Sequence, residues 1–179
     1  FTVADSTTAA SDLIINAVIS GTGGLTKSGA GTLMLAGANT YSGLTTLSAG
    51  TTVVGNDRAF GSGILSLSGS RLSGDGTART IDNNVRLAAN TIIEGGSDLS
   101  FDGTFTNYNG NRTLTVNNTG ATTLNGVVQL SSNGTNRTLT ISGTGNTQIA
   151  GVVTNAASSN SNLSKSGTGT LTLSGANTY

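Results

Sequence analysis

The chain has 179 residues, enough to bury a sizeable core as one or two domains. Gly, Thr, Ser and Asn account for 99 of the 179, only 35% are apolar, 4% are aromatic, and there is no Pro, Cys, His or Trp, which excludes disulfides, thiol nucleophiles, iron–sulfur clusters, Cys/His zinc sites and histidine triads. Eight basic and eight acidic residues cancel without forming the basic stripe of a nucleic-acid binder, and no apolar run approaches the ~18 residues of a membrane span.

In chain order, the opening at Phe1 without a leader-like segment predicts a piece excised from a longer polypeptide. Short alternating runs then follow at Leu33–Leu35, Ile64–Ser68, Leu99–Phe101 with Phe105, Leu114–Val116, Leu139–Ile141 and Leu171–Leu173. Alternation of apolar with polar residues is the period-2 mark of strands with one face buried. Thr and Val favour strands, and the Gly, Asn and Ser clusters between the runs supply turns. Such periodicity argues against disorder, and no window carries a helical stripe.

The runs are organised in repeats. Leu25–Tyr41 recurs as Leu163–Tyr179 with 13 of 17 positions identical, and the units 111–128 and 136–153 repeat at a spacing of 25. Ser142–Gly145 returns as Ser166–Gly169 after 24 residues. Steps of this size suit one coil of a solenoid with three short strands and three turns. The expected fold is therefore all-β: a right-handed parallel β-helix (β-solenoid) of seven or eight coils, each of 20–25 residues. Residues 1–179 form one segment, with repeat units 25–56 and a truncated copy at 163–179. Absence of proline fits a continuous backbone ladder.

Within Leu25–Tyr41 and Leu163–Tyr179 the pattern Leu-x-Lys-Ser-Gly-x-Gly-Thr-Leu-x-Leu-x-Gly-Ala-Asn-Thr-Tyr resembles the autotransporter-associated β-strand repeat, also called the passenger-associated transport repeat. The likeness continues through Ser42–Leu47 to Val53–Asn56. This resemblance implies a β-helical passenger of a bacterial autotransporter or a similar giant surface protein, secreted or held at the cell surface. Passengers of that family serve in adhesion, aggregation or biofilm formation. Contact with the membrane would run only through a translocator region that this chain lacks.

Side chains that offer themselves as sites are few, and none is expected to be catalytic, to bind a cofactor or to ligate a metal. Lys27 and Lys165 read as functional cations or as residues of solvated turns, the turns being favoured. Tyr41 and Tyr179 read as surface platforms for sugars or as side chains packed beside a turn. Arg112 and Arg137, one repeat apart, would stack as an outward ladder if equivalent positions align. Asp98 and Asp102 share an outward parity and, with Asp75, Asp82, Arg79 and Arg86, are the carboxylates and cations that a carbohydrate-active β-helix would use. Fragments of the calcium-binding nonapeptide occur at Gly74–Gly76 and Gly95–Asp98, without its periodicity.

The functional expectation is a non-enzymatic stalk or adhesive segment that touches host or matrix glycans and proteins. All eight acids precede residue 103, so residues 1–102 sum to −3 and the remainder to +3. That asymmetry, with the strand edges of a solenoid, keeps open a second expectation: copies joined end to end in an extracellular filament or sheath. A β-helical carbohydrate-active enzyme is the third.

Overall fold

The computed structural model describes residues 1–155 and 160–179. Among them are twenty strands and no helix. β1 (Leu13–Ile15), β2 (Leu25–Lys27), β3 (Thr32–Leu35), β4 (Thr45–Leu47), β5 (Thr51–Val54), β6 (Leu65–Leu67) and β7 (Arg71–Gly74) fall alternately into two sheets. At β8 (Arg79–Ile81) a third sheet begins, followed by β9 (Val85–Leu87), β10 (Thr91–Glu94), β11 (Leu99–Phe101), β12 (Phe105–Asn107) and β13 (Arg112–Val116). The last coils contribute β14 (Thr122–Leu124), β15 (Val128–Gln129), β16 (Thr138–Ser142), β17 (Thr147–Ile149), β18 (Val153–Thr154), β19 (Asn162–Lys165) and β20 (Leu171–Leu173).

Every strand pairing is parallel, and each strand inside a sheet pairs with its equivalents in the coils before and after, the end strands with one. The first sheet stacks eight strands from β1 to β19, which makes about seven turns of a β-solenoid. Each strand is short because the chain must turn a corner after two to five residues to stay on the coil.

Alternation does what the sequence pattern predicts. One inward column runs Leu25, Thr45, Leu65, Val85, Phe105, Val128 and Val153, all buried. A second runs Leu33, Thr52, Leu72, Ile93 and Val116. The third holds Ile81, Phe101, Leu124 and Ile149. Phe101 meets Phe105 edge to face at 5.9 Å across the corner between two sheets. Stacking like on like lets a slim core serve the whole length, which is why 35% apolar residues suffice.

Coil length is not uniform. The second sheet advances by 20 residues per coil from Leu25 to Phe105, then by 23 to Val128 and 25 to Val153. The 25-residue repeat read from sequence thus describes the later coils; the earlier ones are shorter because their corners hold fewer residues. One further departure concerns β13 and β16. Arg112 pairs with Leu139 and Leu114 with Ile141, a step of 27, two more than the repeat spacing. A slide of two residues keeps inward side chains inward, so the core tolerates it.

Candidate functional surfaces

The repeated motif is built around a buried lysine. Lys27 ends β2 with the same inward parity as Leu25 and is 0% exposed. Its ammonium donates to the carbonyls of Ser28 (3.1 Å) and Gly29 (2.9 Å) in its own corner and of Ala49 (3.0 Å) in the next coil. Dehydration pulls its pKa below the ordinary 10.5, an effect opposed by the Asp12 carboxylate. The corner closes on Gly29 at φ +78°, where any Cβ would also strike the Val3 carbonyl. Lys27 is therefore a clamp between coils and not, as the sequence suggested, a residue of a solvated turn.

Asn39 works in the same way. Its side-chain oxygen accepts from the Ile19 N–H of the preceding coil (2.8 Å), and its amide donates to the Ala59 carbonyl of the following one (2.7 Å). Tyr41 completes the unit from the interior, its hydroxyl 2.6 Å from that of Thr45. Tyr41 is buried, so it is not the surface platform that sequence allowed; the wide bend after β3 folds the ring over the lumen.

The second copy repeats the local geometry on different faces. Residues of the first copy occupy the second and first sheets, through β2 and β3, whereas the second copy occupies the first and third, through β19 and β20. The motif thus encodes a strand–corner–strand unit without dictating which face it lies on. Lys165 donates to Ser166 (2.5 Å) and Gly167 (3.1 Å), and Asn177 accepts from the Val153 N–H (2.8 Å). Both make the contacts to their own or the preceding coil, and Lys165 and Tyr179 are exposed.

The acidic candidates do not converge. Asp98 and Asp102 flank β11 at opposite corners, and each engages the following coil: the Ala121 N–H donates to Asp98 and the Asn125 amide to Asp102, both at 2.7 Å. Asp75 is held by Arg79 through two hydrogen bonds of 3.1 and 2.6 Å, with Asp57 4.0 Å from the same guanidinium. Among the described residues no three acidic side chains gather where a metal ion would sit. The arginine ladder does not form either. Because β16 slides by two, Arg112 lies beside Leu139, and its guanidinium folds back onto the carbonyls of Tyr108 and Asn109, 3.4 Å from each. Arg137 stands at the corner before β16, its backbone N–H donating to Ser161.

The Asp75–Arg79 pair gives the protein an acid limb. Hydrogen bonding from Arg79 holds the Asp75 carboxyl below its ordinary value of 3.8. The unfolded chain therefore takes up a proton first, and the stability this pair contributes is complete above 3.8 and lost as pH falls through the lower folded value. Denaturant titrations at pH 7 and pH 3 should show a smaller difference for Asp75→Asn than for the wild-type chain.

Sequence reading missed a column of glycines. Gly23, Gly43 and Gly63, then Gly103, Gly126, Gly151 and Gly175, occupy equivalent corners leading into the second sheet, each packed on the backbone of the one before. Asn83 takes the one intervening place; it is buried and its amide donates to the carbonyls of Gly61 (3.1 Å) and Gly63 (2.7 Å). The 20-residue spacing of the first three glycines was the available signal.

The family model described as Passenger-associated-transport-repeat matches residues 25–54 and 163–179, the two clamp units. An autotransporter adhesin of Brucella suis biovar 1 (strain 1330), BmaC, is 37% identical over 147 residues, a match that covers 68% of this chain but only 4% of the relative's length. This is an autotransporter passenger repeat region. No solved structure matches. A passenger repeat region belongs to a cell-surface or secreted protein, and the solenoid is the form it takes here.

Proposed function

We propose that this chain is a non-enzymatic adhesive stalk segment of a bacterial surface protein, spacing and presenting contact surfaces away from the cell. The observation that carries the reading is the unbroken parallel ladder of about seven turns, clamped coil to coil by motif residues, with carboxylates spent on corners. Its likeness to an adhesin supports the adhesive half of the statement. Beads coated with the chain are expected to attach to host-cell and matrix surfaces more than beads coated with an unrelated solenoid of equal length. Equal attachment would remove adhesion and leave a spacer.

One observation favours a second reading, end-to-end assembly. Residues 1–102 sum to −3 and residues 103–179 to +3, so the two halves of the chain carry opposite charge. Light scattering over a concentration series decides it. Growth of mass with fibres of uniform width supports assembly, and a constant 17.6 kDa rejects it.

A further inference from the structure

We propose that a groove across three coils of this solenoid, beside the start of the third sheet, binds a neutral oligosaccharide; the inference rests on the adhesive reading above and names its site. Before β8, the segments 36–44 and 55–64 cross this side of the solenoid as loops, and β8 with its following corner then builds a step beside them. Two adjoining cavities of about 390 and 420 Å³ lie along the step and share Ser62, Asp82 and Asn83. Their size is that of small-ligand sites, which span roughly 300–1,000 Å³.

The lining has the chemistry of a polyhydroxylated ligand. Asp57 and Asp82 stand against Arg58 and Arg86, so the groove is charge-balanced and offers no field to a polyanion. Asp82 and Arg58 are exposed and make no hydrogen bond or ion pair with any described residue through their side chains, in contrast to the carboxylates spent on corners elsewhere. A carboxylate accepts from sugar hydroxyls, and a guanidinium donates to them.

Other members are held in place. The Arg86 guanidinium lies 4.9 Å from the Tyr108 ring centroid, and the Asn84 side-chain oxygen accepts from the Thr104 N–H (2.9 Å), fixing the amide. Leu44, 45% exposed, and Ile64 give one end an apolar patch on which the C–H face of a sugar ring can lie. With coils about 4.8 Å apart, three coils make a groove about 10 Å long, the reach of a short chain of sugars.

The test is calorimetric titration with neutral oligosaccharides of two to six hexose and N-acetylhexosamine units, beside a sulfated oligosaccharide of equal length. Saturable binding of a neutral member is expected, weakened about tenfold or more in Asp82→Ala and in Arg58→Ala, since a hydrogen bond to a charged group is worth about that much. Arg71→Ala, on the first sheet, should leave it unchanged, and melting temperature should not move in the groove variants. Binding of the sulfated probe alone, no binding of any neutral probe, or neutral binding indifferent to both variants overturns the proposal. The bead assay separates the two readings. Wild-type and doubly substituted beads that attach equally would keep adhesion and place it away from the groove; failure of wild-type beads would reject adhesion, and in both cases the titration decides whether the groove binds.

Discussion

Lys27→Met is expected to destabilise the fold by about 3 kcal/mol, while Lys165→Met, in the same motif, changes stability by less than about 0.5 kcal/mol. Methionine is unbranched, reaches to within one atom of the lysine's length and tolerates burial, so the substitution removes the donors with little change in packing. The Gly29 and Ala49 carbonyls then lose their partner in a closed corner, while that of Ser28 keeps the Val3 N–H, and each buried acceptor left unmade costs about 1–3 kcal/mol. Relief from dehydrating the ammonium offsets part of the loss, which is why the expected total is below the sum. At Lys165 the ammonium is exposed and bonds only Ser166 and Gly167, both of which water can replace. Denaturant titration of the two variants beside the wild-type chain reads the contrast. Equal losses would show that the motif lysine acts locally in its corner, and the coil-to-coil role assigned through Ala49 would fall.

The contrast also marks what the sequence could convey. Alternation in short runs places strands and their inward faces, because a strand exposes its period directly. Leu25-x-Lys27 carried the parity of an inward lysine, yet a charge at a turn reads as solvated until the corner carbonyls that receive it are seen. The later coils were legible from identity at 136–153 against 111–128. The earlier ones keep only inward character: Leu25, Thr45, Leu65, Val85 and Phe105 stack at intervals of 20, and no two in adjacent coils are identical.

Register at β16 was beyond reach for a different reason. A slide of two preserves parity, so alternation is blind to it, and only the length of the preceding corner reveals that Arg112 and Arg137 part company. The groove at Asp82 and Arg58 depends on where the third sheet begins, which is a property of stacking between coils and not of any one segment. Asp98 and Asp102 share outward exposure as parity required, but their partners belong to the next coil.

Gly126→Ala is expected to cost about 3 kcal/mol or more, whereas Gly23→Ala should be nearly silent. Along one corner of the solenoid the backbone of each coil lies directly on that of the coil before. A methyl at Gly126 would overlap the carbonyl oxygens of Gly103 and Asp102, and at Gly151 those of Gly126 and Asn125, all of them backbone with no side chain to swing aside. Relief requires the coils to separate, and separation lengthens the strand hydrogen bonds on either side of the corner. Gly23 begins the column, and a methyl there meets nothing within 4 Å. Contacts in a solenoid join neighbouring coils only, so the damage from Gly126→Ala should stay near its own coils. Amide hydrogen exchange should therefore quicken in β11, β12, β14 and β15 while β2 to β5 retain wild-type protection. Uniform loss of protection from end to end would instead make the solenoid a single cooperative unit, and the clamp at Lys27 would then stabilise coils far beyond the two it bridges.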